Sequence, residues 1–506
     1  MAKSLPQVHN KQVTQPDQPS RRVFLRSTAN LTLGLCLPSL SWLSGYTQLD
    51  EYRVTSWDEL AARLQGKLLR PGSAEFTQRA SPWLLQYAGT IPQGIAQCRN
   101  EADVATCIQW AQANKIPLVA RSGGHSLAGF STTTGLLIDV STMTDFTYDP
   151  ATGFATVGGG IRNLGILQAF QPLDRAIPHG RCLSVGVAGL VLGGGIGFDM
   201  RSHGFTCDWL RETRIVLADG RTLTCNEKEN SDLFWACRGG GGGNFGIHTS
   251  FTFQTFSVGK ITVFDITWTE RIAETMAAVV AMTQSAPSTL GIQVSIEARK
   301  QAGVTVLTLS ILGQLAGPVS TFETLLAPVL AVQGPNESKI QYKPYWEGQD
   351  LLAEIGTPNY SQERSRFIKE QLTPDAIQFI ISKMMAWPGT SKAAAWTYFL
   401  LGGQIDMYKP TDMAFVHRGY SMLSSLDLEW SVSDGEVLIA LNHQWLTNFH
   451  DQMEKYSSSS CYQNFIDPSQ TNYLQAYYGE NLARLQTVKR IYDPSNLFNY
   501  PQSIPF

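Results

Sequence analysis

The spacing of apolar and polar positions changes character about halfway along the chain. Residues 57–85 read as a helical lead-in, and 94–97 as a short buried strand. Over 100–114, Val104, Ile108 and Ala111 recur at helical spacing. Compact apolar runs at 117–120, 135–140, 154–157 and 210–217 predict further strands, with a helix over 163–170. From about Val258 the pattern alternates. Residues 261–268, 291–298, 304–312, 394–401 and 420–430 read as strands with one apolar face, and helical stretches intervene at 270–284 and 321–332. The expected fold class is α+β, with a large antiparallel sheet backed by helices in the second half. No G-x-G-x-x-G opens a helix directly after the first strand, which argues against a Rossmann dinucleotide fold.

Length and composition narrow the class. At 506 residues the chain is long enough for two or three domains. A net charge of −3 without a basic stripe argues against nucleic acid as a partner. Eight cysteines without a C-x-x-C pair argue against structural zinc and a dense disulfide framework, so no metal is expected. Cys98 and Cys107 are close enough in sequence to pair, but Cys107 falls in the expected helix, and both read as buried free thiols. Near the N-terminus, Ser20-Arg21-Arg22-Val23-Phe24-Leu25-Arg26 precedes a mildly apolar run at 31–43. Paired arginines before a short apolar run read as a twin-arginine export signal, predicting a protein handed to that machinery and exported from a bacterial cytoplasm. Pro38 and several serines make the run too short and interrupted for a stable membrane anchor. Leu35 before Cys36 is a poor lipoprotein site.

Candidate chemistry is concentrated in glycine-rich segments. Ser122-Gly123-Gly124-His125-Ser126 carries one histidine, and Gly180-Arg181-Cys182-Leu183-Ser184-Val185-Gly186 carries one cysteine and leads through Gly189 into Gly193-Gly194-Gly195-Ile196-Gly197. Glycines allow backbone N–H groups to approach a pyrophosphate closely. Histidine and cysteine are the side chains best suited to bond covalently to an electrophilic flavin ring. Together they point to a flavoenzyme with a doubly attached cofactor.

The wider pattern resembles the berberine bridge enzyme-like branch of the FAD-linked oxidases, whose FAD domain is of the vanillyl-alcohol oxidase (PCMH) type. The residues that carry the resemblance run from Ile116 to Ser126, from Cys182 to Gly197, and from Asp232-Leu233-Phe234-Trp235 to Phe245-Gly246-Ile247. A fourth stretch runs from Tyr478-Gly479-Glu480-Asn481-Leu482 through Asp493-Pro494 to Gln502-Ser503-Ile504-Pro505. The likeness is dense in the first half and thin between about 260 and 455. After the signal and linker at 1–45 and the lead-in at 46–85, it implies an FAD-binding domain at 86–257, a substrate domain at 258–459, and a C-terminal segment at 460–506 that returns to the FAD domain.

The resemblance also implies roles. FAD would be attached at its 8α-methyl carbon by His125 and at its 6-position by Cys182. Gly123, Gly124, Gly186, Gly189, Gly193, Gly194, Gly195 and Gly197 would present backbone donors to it, with hydroxyl contacts from Ser122 and Ser126. Phe245, Gly246 and Ile247 would close over it. Arg121 is placed beside it, with strand capping as the alternative. Tyr462-Gln463-Asn464-Phe465-Ile466-Asp467 resembles the family's Tyr-x-Asn-Tyr-x-Asp element, with Phe465 in place of the second tyrosine. Tyr462 is then the expected base toward a substrate hydroxyl. Period-two geometry places Leu423, Ser425, Asp427 and Glu429 on one face. Ser425 stands where plant members tend to carry Gln, and Asp427 is the expected partner that orients Tyr462. His417-Arg418 matches a recurrent family pair, with a structural role as the alternative. Val185, small, is the family feature that accompanies reactivity with molecular oxygen. The implied reaction is hydride removal from an alcohol carbon of a sugar, oligosaccharide or secondary metabolite, giving hydrogen peroxide. The alternatives are a dehydrogenase that uses a quinone or protein acceptor, and a flavin-binding protein without turnover.

Overall fold

The computed structural model describes residues 56–506; the expected export signal and the first part of the lead-in lie outside them. The described chain opens with a four-stranded sheet in the order Lys67–Leu69, Gly94–Gln97, Leu136–Asp139, Leu118–Arg121. Its first pair is antiparallel and the other two are parallel. Helix Glu101–Ala113 starts where Asn100 accepts the Asp103 N–H at 2.9 Å, and buries Val104, Cys107, Ile108 and Ala111. These residues fill a core shared with Ala96, Leu136 and Ile138. The strands at its centre, Gly94–Gln97 and Leu136–Asp139, are buried throughout, the burial typical of parallel pairing covered on both faces.

The expected helical lead-in is two short helices, Trp57–Arg63 and Ala74–Ala80, with strand Lys67–Leu69 between them. Gly66 and the Pro71-Gly72 pair break the helical run there. A side chain at Gly66 would place its Cβ 1.9 Å from the Gln97 carbonyl oxygen, so glycine lets the strand close onto Gly94–Gln97. This stretch therefore forms the edge of the first sheet.

A second, antiparallel sheet has the order Phe146–Asp149, Phe154–Gly158, Ile247–Gln254, Leu210–Val216, Thr222–Asn226. The third has seven antiparallel strands: Glu337–Pro344, Lys260–Trp268, Val304–Leu315, Leu290–Gln301, Ala394–Leu400, Met422–Trp430 and Tyr360–Ile368. Helices Ile272–Gln284, Val319–Val332, Pro374–Met385 and Glu436–Gln452 supply the apolar cover of one face, on which Val294, Ile296, Trp396, Tyr398, Leu426 and Leu428 are buried. The intervening positions point the other way. Gln293, Ser295, Glu297, Thr397, Ser425 and Asp427 line a cavity. The architecture is thus α+β with a large antiparallel sheet backed by helices.

The C-terminal segment returns to the first half. Lys489, on helix Leu482–Tyr492, is fully buried and donates to the Asn244 carbonyl oxygen at 2.7 Å, the Phe498 carbonyl oxygen at 2.6 Å and Asp493 Oδ2 at 2.7 Å. The Asn244 side-chain oxygen in turn accepts the Ile504 N–H at 2.9 Å. Among the described residues all seven cysteines are free. The Sγ atoms of Cys98 and Cys107, both buried, lie 3.9 Å apart. Among the described residues no helix is long and apolar enough to cross a membrane.

Candidate active site

A cavity of about 690 Å³ lies where the first sheet's loops, the polar face of the seven-stranded sheet and the C-terminal segment meet. His125, Cys182 and Tyr462 all line it. His125 follows strand Leu118–Arg121, and Trp83 stacks on its imidazole with ring centroids 4.1 Å apart. Its Nε2 is buried without a hydrogen-bond partner among the described residues. Burial, and then the nearby Arg162 charge, lower its pKa to about 4, so the ring is neutral at pH 7 and carries a free lone pair for bonding. Cys182 is half-buried on an irregular loop, and its carbonyl accepts from Asn163 Nδ2 at 2.9 Å.

The two glycine-bracketed loops meet back to back. A Cβ on Gly123 would stand 2.3 Å from the Gly186 nitrogen, so only glycine allows the His125 and Cys182 loops to approach. Gly124, Gly186, Gly189, Gly197, Gly246, Ile247, Val185, Arg121, Ser122 and Ser126 line the cavity; Gly193, Gly194, Gly195 and Phe245 do not. Gly194 and Gly195 have φ of +117° and +92°, a region L-residues avoid, and this turn aims the Gly195 N–H at Tyr462. The triple glycine therefore serves the tyrosine. Ser122 donates its hydroxyl to the Gly159 carbonyl oxygen at 2.9 Å, and Ser126 Oγ accepts the Phe130 N–H at 3.0 Å. Arg121 clips the lead-in to its own loop through the Arg79 and Ser131 carbonyl oxygens, both at 2.7 Å.

Tyr462 is 1% exposed. Its hydroxyl oxygen accepts from the Gly195 N–H at 2.9 Å and from Asn464 Nδ2 at 3.0 Å. Burial raises the phenol's pKa above its ordinary value, while these two donors pull the other way by favouring the phenolate. The expected orientation of Tyr462 by Asp427 does not occur, because Gly195 and Asn464 make those contacts. Asp427 instead stands opposite Glu363 in register across strands Met422–Trp430 and Tyr360–Ile368. Its pKa is raised by burial and then by the charges of Glu363, Glu429 and Glu354. Burial, eased by a Ser425 hydrogen bond, pushes Glu363 up to about 7. His417 and Arg418 lie outside the cavity wall. Arg418 forms a buried bidentate pair with Asp208 at 2.6 and 2.9 Å, and His417 stacks on Phe367.

Sequence reasoning left out Gln293, Ser295, Glu297, Glu354, Glu363 and Asn464, all in the cavity wall. The strict alternation of Gln293, Ser295 and Glu297 with Val294, Ile296 and Ala298 was the available signal, and it reads equally as a solvent-facing edge.

The Glu363–Asp427 pair has a measurable consequence. A carboxyl whose folded pKa lies near 7, against an unfolded value of about 4.5, binds more protons folded than unfolded between those limits. Its contribution to stability is therefore lost as pH rises from about 4.5 through 7. Thermal midpoints recorded across this window should fall with pH in the wild type and flatten in Glu363→Gln; identical slopes would refute the assignment.

The cavity's residues fit FAD. His125, with its orphaned imidazole nitrogen, lines a space walled by loops that only glycine permits, together with Gly124, Gly186, Gly189, Asn163 and Tyr462. Residues 92–226 match the FAD binding domain model, and 461–505 match the berberine and berberine-like model. The chain is 31% identical to the FAD-linked oxidoreductase YgaK of Bacillus subtilis, over 82% of this chain and 91% of the relative. Among solved structures it resembles Physcomitrella patens BBE-like 1, with a TM-score of 0.80 and 26% identity over 89% of this chain and 99% of that one. It also resembles the glucooligosaccharide oxidase of Acremonium strictum, described with a 6-S-cysteinyl, 8α-N1-histidyl FAD, with a TM-score of 0.78 and 25% identity over 88% and 98% of the two chains. The chain belongs to the berberine bridge enzyme-like family of FAD-linked oxidoreductases.

Proposed function

We propose that this protein oxidises an alcohol carbon of a sugar or oligosaccharide, with molecular oxygen as electron acceptor and hydrogen peroxide as second product. The observation that carries the reading is the polar row Gln293, Ser295, Glu297, Thr397, Ser425 and Asp427, which shares one cavity with Tyr462, His125 and Cys182. Carboxylates, amides and hydroxyls spaced along strands offer the several hydrogen-bond partners that a polyhydroxylated substrate needs.

FAD, when bound, supplies the hydride acceptor. His125 and Cys182 would hold it covalently, and Gly124, Gly186 and Gly189 would approach it with backbone. Tyr462 takes the proton of the substrate hydroxyl. Asn464 Nδ2 and the Gly195 N–H stabilise the phenolate form that accepts this proton and becomes the phenol, acting as a preformed anion hole in a site shielded from water. The sheet's polar face orients the sugar ring so that the carbon bearing that hydroxyl points at the cofactor space. Val185, small and in the wall, leaves room for dioxygen.

Export through the twin-arginine route belongs to the same reading. It carries folded proteins, which suits a chain that loads its cofactor before leaving the cytoplasm; Arg21-Arg22 and the apolar run at 31–43 support it. Peroxide yield tests the acceptor. One hydrogen peroxide per substrate oxidised in air is expected, whereas turnover only with an added quinone would establish a dehydrogenase.

A further inference from the structure

Cys182 is the one half-buried thiol among the described cysteines; the other six are buried. Its loop makes an isolated parallel bridge to Glu354. The Leu183 N–H donates to the Glu354 carbonyl oxygen at 3.1 Å, and the Glu354 N–H donates to the Arg181 carbonyl oxygen at 3.0 Å. Residues paired in parallel register send their side chains to the same side. The side chains of Glu354 and Cys182 therefore leave the bridge on one side, both residues line the cavity, and the Cys182 Sγ lies 3.6 Å from the Ser184 Oγ. Glu354 Oε2 is also 3.1 Å from the Arg181 guanidinium.

On the loop's other side, Asn163 is 1% exposed and spends its Nδ2 on the Cys182 carbonyl. Its Oδ1 is buried without a partner, and the residue lines the same cavity. A buried acceptor left unsatisfied is costly, so this spot is built for a donor carried by a bound molecule.

A free thiol ionises near pH 8.5, and the thiolate is the form that bonds. Bond formation at Cys182 near neutral pH therefore needs a proton acceptor. His125 is a weak base at its lowered pKa and is assigned its own bond. Glu363 and Asp427 face each other, and each is pushed toward its protonated form. Glu354 is left as the acidic side chain in register with Cys182.

We propose that Glu354 is the proton acceptor that activates Cys182 for attachment to FAD. The inference rests on the reading of Cys182 as an attachment point. The thiol proton passes to Glu354, the sulfur bonds to the ring carbon, and that carbon loses its hydrogen. The two electrons released go to dioxygen. The sum is thiol plus ring C–H plus O2 giving the thioether plus hydrogen peroxide.

The test uses the full chain produced without flavin and mixed with FAD in air, followed by peptide mass at His125 and at Cys182. The wild type should form both links. Glu354→Gln should keep the His125 link and form the Cys182 link about 100-fold or more slowly, the lower range of a general-base contribution. Arg181→Gln breaks the same ion pair but keeps the carboxylate, and should link at the wild-type rate. Equal loss in both variants would make Glu354 only a clamp and overturn the proposal, as would a wild-type rate in Glu354→Gln. Should Glu354→Gln not fold, shown by absence of the His125 link, Glu354→Asp decides. A slowed Cys182 link with a normal His125 link supports the proposal, and two normal or two equally slowed links overturn it. A wild-type protein whose Cys182 stays a free thiol would sink the attachment reading itself.

Discussion

Replacing Tyr462 with Phe should lower kcat by about 10²–10⁴-fold, the range that a positioned general base contributes. The ring's packing would survive, because the phenyl edge keeps its contacts with Phe415 and Phe465, with centroids at 6.1 and 5.1 Å. Only the hydroxyl is lost, and with it the acceptor for the Gly195 N–H and Asn464. KM should change little, since the effect falls on the transition state and not on ground-state binding. Stopped-flow reduction under anaerobic conditions checks this directly. A variant with unchanged reduction rate would remove Tyr462 from the chemistry and return attention to Asp427 and Glu363.

Lys489→Met should be the most damaging change outside the cavity. Lys489 and Asp493 are both fully buried, and the ammonium's three donors are all used. Removing one member of such a pair leaves a buried carboxylate without its cation, held by the Leu497 and Phe498 N–H groups at 2.9 Å, a change that costs about 3–5 kcal/mol. Two of the three bonds end on backbone carbonyls, of Asn244 and Phe498, so the loss also loosens the 239–246 glycine segment from the C-terminal tail. A thermal scan should show a markedly lower midpoint. The double variant Lys489→Met, Asp493→Leu should recover only part of it, because the stranded charge is gone but the Leu497 and Phe498 N–H groups lose their acceptor. A single variant as stable as wild type would contradict this account.

Much of the fold was legible because burial imposes period. Helix Glu101–Ala113 and strand Gly94–Gln97 coincide with the predicted spans to within a residue or two, since each presents its apolar residues to one core. The alternating second half gave five strands of the seven-stranded sheet. It missed Glu337–Pro344, an edge strand of mostly exposed residues, and Tyr360–Ile368, where buried Arg364 and Arg366 break the alternation. Alternation also says which positions share a face without saying what that face meets. The row at Gln293, Ser295 and Glu297 looks identical whether it fronts solvent or a cavity; the sheet's position against the His125 and Cys182 loops decides it.

Local motifs were similarly half-readable. His125, Cys182 and Tyr462 come from distant segments, and the structure brings all three to one cavity. The glycine run Gly193-Gly194-Gly195 looked like a cofactor cradle, but the positive φ of its last two members serves a hydrogen bond to a residue 267 positions away. Asn464 stood in the quoted motif, yet its bond to Tyr462 depends on the side chain folding back two residues, which no spacing rule specifies. Glu363 and Glu354 sit in the weakly matched middle of the chain, where nothing local marks them out.

The central claim is that this cavity oxidises a carbohydrate alcohol. The most direct measurement follows the visible flavin absorbance of the anaerobic holoprotein as a panel of sugars and neutral oligosaccharides is added. Bleaching by at least one compound, restored by air with hydrogen peroxide formed, is the predicted result. An unbleached flavin that dithionite still reduces would contradict it.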